Sequence, residues 1–351
     1  MRCVVAAIVM LAVSAAPVAA RDDKPNPFPK PAPNSPDEPL AKKLSLTRGA
    51  EFLDAAAVNW TNKRQCATCH TNVAFLIARP LLKEAPSAAM ADVRAFFEKR
   101  VANWDGPGDD DRPRNHSEVV VTAVALAIND ARTTGKLQPI TRKALDRMWK
   151  RQRDDGSWDW EKCDWPPLEY DDYYGVVFAA LGVGLAPEKY AETEQARAGL
   201  EKIRTYLKKN PAPNLHHRAL LLWASMQVDG LMTADERDKT VKDLLAAQKD
   251  DGGWSLPSLG DWKGFDGRPN NLQAPSDGYA TGFAVYVLRQ AGRPAKDDAV
   301  QRGVAWLTKN QRESGRWFTQ SLNTDRTHYI SHAGTAFALM ALKACDVKEE
   351  E

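Results

Sequence analysis

Gln248–Trp254 reads QKDDGGW, and the same spacing, Q-x-x-x-G-x-W, returns at Gln152–Trp158 (QRDDGSW) and Gln311–Trp317 (QRESGRW). Apolar residues at helical spacing precede the copies: Val241, Leu244 and Leu245 before Gln248, and Val304, Trp306 and Leu307 before Gln311. A glycine just past a helix C-terminus takes the left-handed conformation without a Cβ clash, and a large apolar residue after it folds back on the last turn. Each copy therefore predicts a helix end and a chain reversal. A repeated unit that cannot bury its own apolar face must stack on its neighbours.

Around these turns the chain divides into two kinds of helical segment. Amphipathic ones, expected on the outside, run over 46–60, 87–104, 141–152, 192–209, 234–248 and 298–311. Between them lie apolar segments rich in small residues, of the kind buried on nearly all sides, over 66–82, 116–129, 170–185, 215–226, 277–290 and 328–344. Alternating outer and inner helices, six of each, predict an all-α fold: one (α/α)6 toroid of six helical hairpins. No segment alternates at period two for long enough to suggest a sheet.

The chain has 351 residues, 43% of them hydrophobic, and a formal charge of +2, which gives no reason to expect a nucleic-acid partner. Residues 1–20 carry Arg2, an apolar run from Val4 to Val13 and a small-residue end, the pattern of a cleaved export signal. No later run is long enough to span a bilayer, so a secreted or periplasmic protein is expected. Seven prolines between Arg21 and Pro39 predict an extended, solvated linker over 21–43. The toroid is expected over 44–346, with a charged tail at 347–351.

In such a ring the inner helices all point their N-termini at one mouth. His70, His116, His216, His217, His328 and His332 sit there, with Glu169, Asp171, Asp172, Tyr173, Asp277 and Tyr279. Asp171 and Asp277 could simply cap helices, but polar groups converging on one mouth of a ring mark a ligand site. Glu169, Asp171 and Asp172 crowd three acids into four residues, so one is expected to titrate high unless a cation or histidine neutralises the group. Cys66, Ala67, Thr68, Cys69 and His70 form C-x-x-C-H, the attachment pattern of c-type haem. Cys66, Cys69, Cys163 and a histidine could instead hold zinc, or Cys66 and Cys69 could pair with each other in an oxidising compartment.

The Q-x-x-x-G-x-W repeats, with R-G-x-x-W-L before Gln311, resemble the terpene cyclase and protein prenyltransferase α/α-toroid superfamily, in particular the repeats of squalene-hopene cyclase. That resemblance implies a small apolar, isoprenoid-class ligand in the central cavity, with Tyr173, Asp277, Tyr279, His216, His217, His328 and His332 around it. Glu169-Tyr170-Asp171-Asp172 is similar to the D-x-D-D acid motif of class II cyclases, with Glu in first place. It implies a cyclase-like isomerase or lyase with Asp171 as general acid, aided by Glu169 and Asp172. In the prenyltransferases Asp277 and His332 would match zinc ligands, but Tyr279 stands where their cysteine would be. Two other functions fit a toroid: a haem-bearing redox protein using Cys66, Cys69 and His70, and a polysaccharide lyase or hydrolase with paired carboxylates.

Overall fold

The computed structural model describes residues 28–82, 87–106, 112–162, 166–168, 171–264, 267–322 and 329–349. Among them are twelve α-helices: α1 (Leu46–Arg64), α2 (Ala74–Ala78), α3 (Ala88–Ala102), α4 (Pro113–Arg132), α5 (Pro139–Lys150), α6 (Asp172–Leu185), α7 (Glu194–Lys209), α8 (Leu215–Ser225), α9 (Ala234–Ala246), α10 (Gly278–Gln290), α11 (Asp298–Asn310) and α12 (Ile330–Ala344). The even-numbered helices contact one another in the order α2, α4, α6, α8, α10, α12 and back to α2, so the ring is closed. Strand pairing among the described residues is limited to two isolated bridges, Leu40 with Arg312 and Gln311 with Trp317.

The inner helices are apolar all round because they are covered all round. In α6 every residue from Tyr173 to Val183 is buried, whereas amphipathic α7 buries only Ala196, Gly199, Leu200 and Ile203. The first inner helix departs from expectation. It does not begin at Cys66 but as a π-helical turn over Cys69–Val73, continues as α2 and ends in a 3-10 turn at Arg79–Leu81. Asn72 sets this up: its Oδ1 accepts from Thr68 N at 2.9 Å and its Nδ2 donates to Cys66 O at 2.9 Å. One side chain thus satisfies the polar groups of the Cys66–Thr68 loop inside the protein, and the widened turn accommodates it.

The repeated motif does more than end helices. Its glycines are not helix caps. Helices α5, α9 and α11 stop at Lys150, Ala246 and Asn310, and Gly156, Gly252 and Gly315 come later, at φ +95°, +89° and +89°. A Cβ on Gly156 would lie 2.2 Å from Lys202 O, and one on Gly315 2.2 Å from Arg48 O. The turn is therefore pressed against the backbone of the next outer helix, and only glycine fits. The glutamine ties the same two helices together. Gln152 Nε2 donates to Gly156 O (3.1 Å) and Gly199 O (3.0 Å); Gln248 Nε2 to Gly252 O and Ala299 O (2.8 Å each); and Gln311 Nε2 to Gly315 O (3.0 Å) and Ser45 O (2.7 Å). The tryptophan folds back as expected: the indole N–H groups of Trp158, Trp254 and Trp317 donate to Met148 O, Leu244 O and Leu307 O at 2.7–2.8 Å, with all three rings fully buried. The copies link α5 to α7, α9 to α11, and α11 to the start of α1, where the ring closes.

Residues 28–43 are exposed along much of their length but are not a free tether. They form a strap over the last motif turn: Ala41 N donates to Gln311 O at 2.8 Å, Glu313 N to Pro39 O at 3.0 Å, and Arg316 reaches Pro33 O at 3.2 Å and Glu38 Oε2 at 2.8 Å. A proline-rich chain lacks N–H donors but keeps its carbonyls. Arg312 and Arg316 supply the donors, Arg312 Nη1 to Glu38 O at 2.6 Å and Arg316 Nη2 to Pro33 O at 3.2 Å. The expected linker over 21–27 and the expected export signal at 1–20 lie outside the described residues, as do Glu350 and Glu351 of the tail.

Candidate functional site

Asp171 is the N-cap of α6, its Oδ1 accepting from Tyr174 N at 2.9 Å. The same oxygen lies 3.2 Å from His217 Nε2, and His217 Nδ1 lies 2.8 Å from Asn214 Oδ1, the N-cap of α8. The next ring along is His216, whose Nδ1 is 3.4 Å from His217 Nδ1 and whose Nε2 is 2.8 Å from the hydroxyl of Tyr279 on α10. A chain of polar groups thus runs from the rim at Asp171 to the fully buried Tyr279. Burial alone would raise Asp171, but the neighbouring His217 and the Tyr174 N–H hold its carboxyl below the usual range. Burial, then His217, pushes His216 well below the ordinary histidine value, and burial pushes the Tyr279 phenol well up. His216 is therefore neutral at physiological pH and Tyr279 protonated.

Tyr279 and His216 face the centre of the ring. With Cys69, Tyr174, Phe178, Trp223, Phe283 and Phe337 they line a lumen otherwise bounded by aliphatic groups and Met340. His216 stacks on Phe283 at 4.6 Å between centroids, and Phe283 meets Phe337 edge-on at 5.2 Å. These rings leave about 30 Å³ of open space, room for a water or two. The indole Nε1 of Trp223 on this wall is buried and has no hydrogen-bond acceptor among the described residues. At the far end Arg132 of α4 crosses the ring, donating to Tyr286 Oη at 2.8 Å and to Ile77 O at 2.5 Å. That end of the lumen is closed by a cation, and the His216 end is the one beneath the polar rim.

The rim residues divide into clusters. His332 Nδ1 lies 3.0 Å from Thr71 Oγ1, which lies 2.8 Å from His70 Nδ1, and the His70 ring stacks on Tyr329 (5.2 Å) with its edge to Trp60 (4.9 Å). Burial lowers both histidines to about 3, with His332 adding to the effect at His70 and Arg316 at His332. His116 stands apart, 3.2 Å from Arg151 Nη1. Tyr173 is buried against Tyr206 and His217, and burial raises its phenol. Asp172 points outward to Lys162 (3.7 Å) and Arg153 (3.9 Å). Asp277 is a buried keystone: it caps α10 through Ala280 N (2.9 Å) and accepts from Leu256 N (2.5 Å) and Thr319 Oγ1 (3.3 Å). Burial raises its carboxyl to about 6, although these donors act the other way. Glu169, Tyr170, Cys163 and His328 lie outside the described residues.

Cys66 and Cys69 share the wall of a pocket of about 190 Å³ with Arg114, Glu118 and Trp160. His70 is not on that wall; its ring is held between Trp60 and Tyr329. A haem bound through both thiols must set its iron against this imidazole, and the pocket is smaller than the ~300–1,000 Å³ usual for ligand sites. The residues as arranged do not fit a haem. Among the described residues no three His, Cys, Asp or Glu side chains converge as a metal site. Of the lumen rings, His216 and Tyr279 are legible in the sequence, whereas Tyr174, Phe178, Trp223, Phe283 and Phe337 are not among its candidates although a signal is present: Tyr174 and Phe178, Tyr279 and Phe283, and His216, Leu220 and Trp223 follow helical spacing and form one stripe per helix.

Residues 218–346 match the family model of the squalene-hopene cyclase C-terminal domain. Among solved structures, a type II terpene cyclase from Scytonema, captured with geranylgeranyl dihydroxybenzoate, superposes with a TM-score of 0.51 at 12% identity over 86% of this chain and 97% of that one. A Listeria innocua protein gives 0.51 at 12% identity over 84% and 97%, and a glycosidase 0.50 at 11% over 86% and 98%. No curated protein shows a significant sequence match. The fold is therefore an α/α toroid, the fold that the Scytonema terpene cyclase shares, and residues 218–346 match the squalene-hopene cyclase C-terminal domain.

Proposed function

We propose that this is an exported, cyclase-like toroid protein that takes a small apolar molecule of the isoprenoid class into its lumen. One observation carries the reading: the ring's centre is an aromatic wall on which a buried donor, Trp223 Nε1, has no acceptor among the described residues, two turns of α8 along from the neutral His216–Tyr279 pair. Buried polar groups are nearly always satisfied, and an alcohol or ether oxygen on an otherwise apolar ligand would satisfy this one. The Scytonema cyclase with its geranylgeranyl substrate is consistent with that ligand class. Because the rings nearly fill the lumen, entry requires Phe283 and Phe337 to swing aside. Residues 1–20 support export, and 44–346 would be the ligand-binding domain.

Acid catalysis by Asp171 is not what the geometry favours, since His217 keeps that carboxyl ionised. Asp171 would instead orient His217 and, through it, His216. The test is native mass spectrometry with farnesol. A one-to-one complex is expected, strengthened by Phe337→Ala and weakened by His216→Phe, which keeps the ring packing but removes both nitrogens. Asp171→Asn, which still caps α6, should leave the melting temperature in place and weaken farnesol. Absence of a complex in both the natural protein and Phe337→Ala would overturn the proposal.

A further inference from the structure

A second pocket lies outside the ring, between the strap and the rim, and it has a different chemistry from the lumen. It holds about 340 Å³, within the range of small-molecule sites. Its floor is Trp60 and Tyr329, whose rings meet edge-on at 4.6 Å. Its charge comes from Lys30 on the strap, Lys63 and Arg64 on the last turn of α1, and Arg316; no carboxylate lines it among the described residues. Arg316 is paired with Glu38, which leaves an excess of three positive charges. Lys30, Lys63 and Arg64 are exposed at the mouth, and Arg64 also donates to Tyr329 Oη at 3.0 Å.

One further atom narrows the ligand. Asn34 lines the pocket, and its Nδ2 donates to Thr319 O at 3.4 Å, which fixes the amide so that Oδ1 is the remaining acceptor. That oxygen is buried and has no donor among the described residues. A simple oxyanion offers it nothing; a hydroxyl does. Strap and body are held together around the pocket by Asn59 Nδ2 to Phe28 O (3.2 Å) and Arg316 to Pro33 O (3.2 Å), so the cavity is built by the fold and is not a gap beneath a loose end.

We propose that this pocket binds a hydroxylated organic anion of the sugar-acid or sugar-phosphate kind. The ring lies against Trp60, a hydroxyl donates to Asn34 Oδ1, and the carboxylate or phosphate faces Lys30, Lys63 and Arg64. An aromatic ring receives the apolar face of a sugar, and charge-assisted bonds from lysine and arginine are the strong contacts for an oxyanion. The site is independent of the lumen and of any ligand bound there.

Calorimetry on the full chain tests this with glucuronate, glucose 6-phosphate, glucose and inorganic phosphate as probes. Glucuronate or glucose 6-phosphate should bind at least about tenfold more tightly than glucose and than inorganic phosphate, more weakly as salt rises, and whichever of the two is tighter identifies the anionic group. Lys63→Gln with Arg64→Gln should weaken that probe about tenfold or more, and Asn34→Ala should weaken it while leaving inorganic phosphate unchanged. Because Lys63 and Arg64 are exposed, the double variant should fold, and farnesol binding should be unaltered. Equal binding of glucose and both anions, or a double variant that binds as tightly as the natural protein, would overturn the proposal. Inorganic phosphate binding as tightly as the sugar anions would also overturn it, since Asn34 and Trp60 would then have no part.

Discussion

Replacing Gln311 by leucine should loosen the seam where the ring closes. Gln311 is 1% exposed and makes three hydrogen bonds across or within that seam: Nε2 to Ser45 O at 2.7 Å, Nε2 to Gly315 O at 3.0 Å, and Oε1 from Ser45 N at 2.7 Å. Leucine has similar bulk, so the loss is mainly polar. Removing one partner of a buried bond costs ~1–3 kcal/mol when the other is stranded. Partial relaxation toward solvent at Ser45, which is half-buried, makes about 3 kcal/mol a reasonable total. With an unfolding entropy of ~2.1 cal/mol/K per residue, a chain of this size loses ~0.7 kcal/mol per degree, so Tm should fall by about 4 °C. Gln311→Glu should do at least as much damage: it keeps the acceptor for Ser45 N but turns a carboxylate toward two carbonyl oxygens. Calorimetric melting gives the readout, and limited proteolysis should show earlier cutting in the 28–43 strap, which hangs on Gln311 O through Ala41 N. A Gln311→Glu variant that melts with the natural protein would refute the view that this amide closes the ring.

Trp254→Ala should cost ~3–5 kcal/mol, as for other deletions of a buried large ring, and lower Tm without selectively altering farnesol binding; an unchanged Tm would contradict its structural assignment. Asp277 has a folded-state pKa raised to about 6, above the ordinary 3.8. The stability it lends is therefore fully present below about 4 and lost as pH rises toward 6. His70, His332 and His216, buried neutral, act the other way over the same window, so the difference between the natural protein and Asp277→Asn isolates the Asp277 contribution: in denaturant titrations it should be larger at pH 4 than at pH 7, and an equal difference at both would refute it. Protein expressed with a haem-attachment system should show no Soret band and no added covalent mass, and a Soret band would overturn the reading of the His70 surroundings.

The local pattern of the chain carried the secondary structure and the architecture. Periodicity, glycine and tryptophan act over a few residues, and so twelve helices, their alternation, and the indoles folded back at Trp158, Trp254 and Trp317 could be read without coordinates. The count of inner helices implied a ring. What the motif's glutamine does could not be read, because its partners lie 47, 51 and 266 residues away, and nothing in Q-x-x-x-G-x-W names Gly199, Ala299 or Ser45. For the same reason composition suggested a solvated proline-rich linker, while the fold brings Arg312 and Arg316 to its carbonyls. The histidines and acids could be placed at one mouth from helix direction alone. Only the tertiary structure pairs Asp171 with His217, sets His216 on Tyr279, separates the His70–His332 cluster, and joins the Asp277 cap to Leu256 and Thr319: which neighbour a side chain meets depends on how the hairpins rotate against one another, and helical period does not encode that rotation.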